Sequence, residues 1–170
     1  MLSLSDNEFA VISFLVRNFS EKLTIRSMAK RLGFSPAGVF NILKKLEENE
    51  IVTGEKLGTG LFYKINLDSR IAHHLACIVL VIDQKPDDYL IQKIKGFKSA
   101  ILHKKNLLLI TDSISSIQLP DYNVDIKTVE EFTDLLRKKD KNSLEIVSEG
   151  IVLFGEEVIV LIIKNCIFGF

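Results

Sequence analysis

The stretch from Thr24 to Asn49 constrains the fold of this chain more than any other. Thr24 is a favoured helix N-cap, and Gly33 can end a helix at little conformational cost because it has no Cβ. Ser35 and Pro36 are typical of a helix start, with the hydroxyl as cap and proline in the first turn. Between these signals, apolar residues recur at intervals of three and four: Ile25, Met28, Ala29, Leu32, then Val39, Ile42, Leu43 and Leu46. The stretch therefore predicts two short helices joined by a tight turn.

The outward face of the second predicted helix determines what it can bind. In a helix-turn-helix, the helix at this position enters the major groove of DNA. Asparagine can bind adenine through two hydrogen bonds, lysine can reach guanine or phosphate, and a small apolar side chain can contact a thymine methyl group. We therefore expect DNA contacts from Asn41, Lys44 and Lys45, with Ala37 near a methyl group. Gly38, also on this face, offers no side chain.

The flanking segments predict a third helix and a hairpin. Ser5 and Glu8 have the spacing of a capping box, and the helix they begin carries apolar residues at helical intervals. After Asn49, two β-prone runs, Ile51–Leu57 and Leu61–Asn66, flank a Gly-Thr-Gly turn. Three residues are expected to line this hairpin: Lys56, Thr59 and Lys64.

Three helices followed by a hairpin is the element order of a winged helix. Residues 23–66 resemble the winged helix-turn-helix domains of prokaryotic transcription regulators over their full length. The likeness includes the Ser-Pro helix start, a Leu-x-x-Leu-Glu stretch and an aromatic-Lys-Ile-Asn strand. One departure is that Ala37 and Gly38 stand where such domains usually carry Arg, Gln, Ser or Thr. The resemblance implies DNA binding by Arg26, Ser35, Ala37, Asn41, Lys44, Lys45, Lys56, Thr59 and Lys64.

The next segment, residues 68–95, is predicted to form linker helices. Apolar residues recur at helical spacing from Ile71, although the β-branched run Ile78–Ile82 is also compatible with a strand. His73 and Cys77 lie four residues apart, a spacing that could bind a metal, but the sequence offers no third ligand nearby. We therefore predict no metal site here.

Strand-like and helix-like runs alternate in residues 96–170, which indicates a small α/β domain. The predicted strands are Phe97–Leu102, Asn106–Ile110, Asp121–Val129 and Ile151–Phe154. Thr128 is expected to cap a helix over Val129–Lys139, and Asn142 or Ser143 to cap a shorter one that ends at Glu149. Val158–Lys164 is β-branched enough for a strand, while its position also allows a terminal helix.

Three segments of this half, LLLITD, YNVDIKTVEEFTDLL and SLEIVSEGIVLFGEE, resemble the later part of small nucleotidyltransferase domains related to polymerase beta. Active members of that family hold nucleotide phosphates on a Gly-Ser loop and two magnesium ions on three carboxylates. When the sequence is aligned with that pattern, Lys104 and Asn106 occupy the positions of the paired carboxylates, and the Gly-Ser loop is missing. Only Asp125 matches, at the position of the third carboxylate. The resemblance implies the fold without the activity, and hence no catalytic residues, cofactor or metal.

The composition of the chain indicates where the protein is located and how its charge is distributed. The chain has 170 residues, equal numbers of acidic and basic residues, and no apolar run that approaches a membrane span. Its two cysteines have no metal-binding or redox spacing, so we expect a cytoplasmic protein. Residues 1–66 hold nine basic and seven acidic side chains, a weak asymmetry in the direction expected for DNA binding.

Together these features predict a fold of mixed α+β and α/β class. A winged helix-turn-helix at residues 1–67 precedes the linker helices and a nucleotidyltransferase-like domain at residues 96–170. The expected function is DNA-binding transcription regulation, with double-stranded DNA as partner. The second domain would serve homodimerisation or partner binding without being an enzyme. Two alternatives stay open: a protein-interaction module, such as an antitoxin-like partner, and a nucleotidyltransferase.

Homodimerisation is expected because two segments carry more apolar surface than a small domain easily buries. These are the helix from Asp68 to Ile82 and the C-terminal stretch Val158–Phe170. Palindromic operators also require two copies of the DNA-contacting helix about one DNA turn apart. No feature of the sequence identifies a small-molecule effector.

Overall fold

A computed structural model describes residues 3–82, 87–113 and 116–167, and within these ranges it contains eight helices and two sheets. The chain divides into two compact units, Met1–Val79 and Leu80–Phe170. Within the described ranges, every helix is too short or too polar to cross a lipid bilayer.

The first unit has three helices followed by a hairpin. Its elements are α1 (Asp6–Arg17), α2 (Ile25–Leu32), α3 (Pro36–Glu48), β1 (Val52–Leu57), β2 (Gly60–Ile65) and the start of α4 (Arg70–Val81). The predicted caps are confirmed: Ser5 and Glu8 form a capping box, and the Thr24 and Ser35 hydroxyls accept hydrogen bonds from the first turns of α2 and α3. Gly33 ends α2 in the left-handed conformation, with a φ of 70°.

The core of the first unit joins all three helices to the hairpin. Fully buried side chains come from the three helices and from both strands: Val11, Ile12, Leu15, Val16, Met28, Val39, Leu43, Leu46, Val52 and Ile65. The hairpin also pairs with the segment before α2, since the Tyr63 N–H donates to the Leu23 carbonyl at 2.9 Å. Packing therefore fixes the hairpin relative to α2 and α3.

The second unit contains a four-stranded mixed sheet. Its elements are α5 (Asp88–Ile94), β3 (Ser99–His103), β4 (Asn106–Ile110), β5 (Asn123–Lys127), α6 (Val129–Arg137), α7 (Lys141–Glu149), β6 (Ile151–Phe154) and α8 (Glu156–Ile167). The strand order is β5-β4-β3-β6, with β4 and β5 parallel and the other pairs antiparallel. Ala100, Leu107 and Leu109 pack in one buried cluster with Leu90 and Ile94 of α5, while α7 and α8 also contact β3.

The structure decides the helix-or-strand alternatives that the sequence left open. The β-branched run from Ile78 belongs to α4, and residues 158–164 lie within α8. In α8 the buried residues are Ile159, Val160, Ile162, Ile163 and Cys166, which follow helical spacing. Burial of a helical face thus outweighs the strand propensity of β-branched residues here.

Several predicted boundaries are wrong by a few residues. Asp140, and not Asn142 or Ser143, caps α7, because its carboxylate accepts a hydrogen bond from the Ser143 N–H at 2.9 Å. β3 begins at Ser99 instead of Phe97. β5 spans only Asn123–Lys127, because Thr128 serves as the cap of α6.

Candidate nucleic-acid interface

The buried side of α3 fixes which of its side chains face solvent. Val39, Leu43 and Leu46 are completely buried, and the opposite side carries the exposed residues. These are Pro36, Ala37, Phe40, Asn41, Lys44, Lys45, Glu47 and Glu48. The exposed face therefore presents apolar groups, one amide and two ammonium groups before the acidic residues begin at Glu47.

Three of the sequence-predicted residues have clear positions at this surface. Arg26 on α2 and Lys44 on α3 are exposed, and neither forms a hydrogen bond or ion pair with any other residue that the structure describes. Ser35 has a structural role, because its hydroxyl accepts a hydrogen bond from the Gly38 N–H at 3.0 Å. Arg26 and Lys44 thus keep their charges available to a ligand.

Lys45 differs from Lys44 because it is already paired within the unit. Its ammonium lies 2.7 Å from a carboxylate oxygen of Glu8 and donates to the Ser3 carbonyl at 3.0 Å. Glu8 is only 5% exposed and also accepts a hydrogen bond from the Ser5 N–H. Burial raises the pKa of Glu8, but the hydrogen bonds from Lys45 and Ser5 outweigh it, so the pKa lies below its ordinary value.

This ion pair predicts an acid-sensitive contribution to the stability of the first unit. Because the Glu8 pKa is lowered on folding, the contribution is present above the ordinary value of 4.5 and is lost as the pH falls through the folded value. Replacing Glu8 by Gln should lower the free energy of unfolding by ~1–3 kcal/mol at pH 7 and flatten its acid dependence. Urea titrations at several pH values measure both effects.

The exposed Glu48 provides the matched control for this prediction. Glu48→Gln makes the same chemical change on an exposed helix surface, so we expect the free energy of unfolding to change by less than about 0.5 kcal/mol. Equal effects of the two substitutions would contradict a stabilising role for the Glu8–Lys45 pair.

The hairpin places its two predicted lysines on opposite faces. Cross-strand partners share a face of a sheet, and Lys56 pairs with Leu61 while Lys64 pairs with Thr53. Because β1 residues 53 and 56 are an odd number apart, their side chains point in opposite directions. Lys64 also lies 3.7 Å from the Glu55 carboxylate. The two predicted lysines of the hairpin therefore lie on its opposite faces, and Thr59 lies in the exposed turn.

A second contact holds the hairpin against the end of α3. The Gly54 N–H donates to the Glu47 carboxylate at 2.9 Å. A Cβ at Gly54 would lie 3.0 Å from that carboxylate and 3.2 Å from the Tyr63 ring, so glycine permits this approach. Burial, with the Glu47 charge as a second cause, raises the pKa of Tyr63. Glu47 is thus engaged within the unit and stands two helical turns beyond Phe40.

Phe40 is the surface residue that the sequence interpretation missed. It is 47% exposed, whereas most large apolar side chains of this unit are buried. It follows Ala37 by three positions and precedes Lys44 by four, so helical spacing alone places the three side chains next to one another. That spacing could have identified it, but a phenylalanine beside a buried valine is more often a core residue.

The second unit carries an open cavity of about 490 Å³ next to the start of α6. It adjoins the carboxyl ends of the parallel strands β4 and β5, where α/β sheets commonly bind ligands. Its charged lining comprises Asp112, Glu130, Asp134 and Arg137. Arg137 is held within the unit, because it donates to the Asn165 carbonyl at 3.0 Å and lies 3.7 Å from Asp134.

The positions compared with nucleotidyltransferases lie around one tight turn. β3 and β4 are joined by Lys104 and Lys105 alone, and Lys104 has a φ of 58°. Asn106 accepts a hydrogen bond from the Asn123 amide, and the Asp125 carboxylate pairs with Lys127. In the described ranges, no three His, Cys, Asp or Glu residues are grouped so that they could hold a metal ion.

Comparison with known proteins adds no family assignment. No protein-family model matches the chain, and no curated protein sequence matches it significantly.

Proposed function

We propose that this protein is a DNA-binding transcription regulator whose first unit acts as a winged helix. The observation that supports the proposal is the exposed face of α3, where Asn41 and Lys44 stand beside small or apolar residues. An amide and an unpaired ammonium on one helix face are the groups that bind base edges and phosphates. The hairpin that follows the three helices supplies the exposed Lys56 as a further cation.

The charge distribution supports the same proposal. Residues 25–46, which include all of α2 and most of α3, contain five basic residues and no acidic one. Of these five, Arg31 pairs with Glu21 and Lys45 with Glu8. Arg26, Lys30 and Lys44 are left for phosphate groups, in a chain whose total charge is zero. A local basic surface on a neutral protein favours a defined DNA-contacting face over general adhesion to nucleic acid.

Titration onto DNA tests the proposal. Purified protein is added to a fluorescent 30-base-pair duplex from the region upstream of its own gene, and to a random duplex of equal length. We expect binding to both at low salt, with tighter binding to the upstream duplex. Failure to bind any duplex at low salt would refute the proposed function.

For the second unit we propose a partner-binding role without nucleotidyl transfer. The two-residue turn between β3 and β4 leaves no loop to hold nucleotide phosphates, and Lys104 and Asn106 cannot replace carboxylates as magnesium ligands. Asp125 would be a single acid ligand. A labelled-nucleotide assay with magnesium should therefore detect no transfer to protein or RNA.

A second candidate function is a protein-interaction module, such as an antitoxin-like partner. The exposed apolar side chains of the first unit favour it, since Phe40, Leu57 and Leu61 are each at least 40% exposed. Binding through these residues would not require Lys44. The response of duplex binding to Lys44 substitution therefore separates the two candidates.

We also propose that the protein is a homodimer, with α4 at the interface. Ile71 and Ile78, seven residues apart on one helical face, are 49% and 42% exposed. The C-terminal stretch is a weaker candidate than the sequence indicated, because most of the apolar residues that the structure describes there are buried within the second unit. Among the apolar residues of α8, only Leu161 is strongly exposed, and residues 168–170 lie outside the described ranges.

Substitution within this face should dissociate the dimer. Ile71→Asp combined with Ile78→Asp places four carboxylates in a symmetric interface, where they would be desolvated and repel one another. Sedimentation should give the mass of two chains for the parent and one chain for the variant at micromolar concentration. A parent mass of one chain would contradict the homodimer, and an unchanged variant would exclude α4 as its interface.

A further inference from the structure

Phe40 is exposed at the part of α3 that is best placed to enter a groove. It stands beside Val39, which is completely buried, and helical geometry turns it about 100° away from that buried side chain. Burying a phenylalanine side chain is worth roughly a 10- to 150-fold gain in an equilibrium constant, so its exposure leaves a sizeable binding contribution unused by the fold.

The surroundings of Phe40 restrict the ligand that it suits. Ala37 lies one turn before it, and Asn41 and Lys44 lie beside and after it, so the apolar patch is bordered by hydrogen-bond donors. Acidic side chains are absent from residues 25–46. The nearest acid on the same side of the helix, Glu47, is bound to the Gly54 N–H. A negatively charged ligand with a small apolar group fits this arrangement.

Thymine is the base that fits best. In the major groove it alone among the four DNA bases presents a methyl group, and phenylalanine and alanine are side chains that contact this group. Its partner adenine presents the edge that an asparagine binds through two hydrogen bonds. The small residues Ala37 and Gly38 allow the first turns of α3 to approach the bases closely.

We propose that Phe40, together with Ala37, contacts thymine methyl groups in the major groove and makes A·T pairs the preferred target of α3. This inference rests on the proposed DNA-binding function and names the base that the helix recognises. Asn41 would then bind the adjacent adenine, while Lys44 contacts phosphate without regard to sequence.

Deoxyuridine substitution tests the proposal directly, because it removes the thymine methyl group and keeps all base pairing. The probes are a 24-base-pair duplex of alternating dA and dT and the same duplex with dU in place of dT. We expect the parent protein to bind the thymine duplex about fourfold more tightly for each methyl group contacted. The Phe40→Ala variant should lose most of this preference and keep only the smaller part that Ala37 contributes.

Tyr89→Ala serves as the matched control, since it truncates an exposed aromatic side chain of a helix in the second unit and should keep the preference for thymine. Thermal unfolding should be unchanged in Phe40→Ala, because an exposed helix position accepts alanine. If the parent binds both duplexes equally, or if Phe40→Ala keeps the parent's full preference, the inference is wrong while the proposed function stands. If the parent binds neither duplex at low salt, both the inference and the proposed DNA-binding function are wrong.

Discussion

The double variant Arg26→Glu/Lys44→Glu is expected to bind duplex DNA more than about 100-fold more weakly than the parent at 100 mM salt. Each substitution removes one cation that has no partner in the described part of the chain and places a carboxylate against the phosphate backbone. The loss should be the same on specific and random duplexes, because phosphate contacts carry no sequence information. Fluorescence anisotropy titrations measure it.

A charge-matched control separates this effect from the change in net charge. Lys138→Glu/Lys141→Glu makes the same alteration on exposed residues of the second unit, and we expect at most a severalfold loss. Equal losses in the two double variants would show that total charge, and not the α2–α3 surface, governs binding.

Gly155→Ala is expected to destabilise the second unit by about 2–5 kcal/mol. Gly155 has a φ of 72°, a conformation that costs other residues about 1–2 kcal/mol. An added Cβ would also lie 2.1 Å from the Lys98 carbonyl oxygen and 2.7 Å from the Ser99 backbone, which forces the turn before α8 away from β3 and adds roughly 1–3 kcal/mol. Urea unfolding followed by circular dichroism measures the change.

Gly96→Ala is the control for this substitution. Gly96 belongs to the same unit, but an added Cβ there would meet nothing within 4 Å. The free energy of unfolding of the Gly96→Ala variant should differ from that of the parent protein by less than about 1 kcal/mol. If Gly155→Ala were as stable as Gly96→Ala, the close packing of this turn against β3 would be contradicted.

Local signals account for the parts of the fold that the sequence predicted. The caps at Ser5, Thr24, Ser35 and Thr128 depend on hydrogen bonds between residues three positions apart, so the pattern is visible in the chain itself. The hairpin was predictable for the same reason, since its turn residues and its two β-prone runs are adjacent in sequence.

The features that the sequence could not predict depend on distant residues. The partner of Lys45 is Glu8, 37 positions earlier, and nothing near Lys45 distinguishes it from Lys44. The opposite faces of Lys56 and Lys64 follow from a strand register that a one-residue shift would reverse. The C-terminal segment is a helix because its apolar face packs within the second unit, against the propensity of its β-branched residues.

The sequence therefore predicted most of the exposed residues of the candidate site, and the structure added one that the sequence had not indicated. The exposed positions of Ala37, Asn41 and Lys44 followed from helical spacing around Val39 and Leu43. The same spacing also exposes Phe40, but its apolar side chain is more typical of a core residue, so the sequence did not indicate it as a surface residue.

The salt dependence of duplex binding tests the central proposal most directly. Binding to DNA releases counterions, so the logarithm of the association constant falls linearly with the logarithm of the salt concentration. Each phosphate contact contributes about −0.9 to the slope of this line. With Arg26, Lys44 and Lys56 contacting phosphates in both subunits of a dimer, we predict a slope of about −5 between 50 and 300 mM salt. A slope near zero, or no binding at 50 mM, would contradict DNA recognition by this surface.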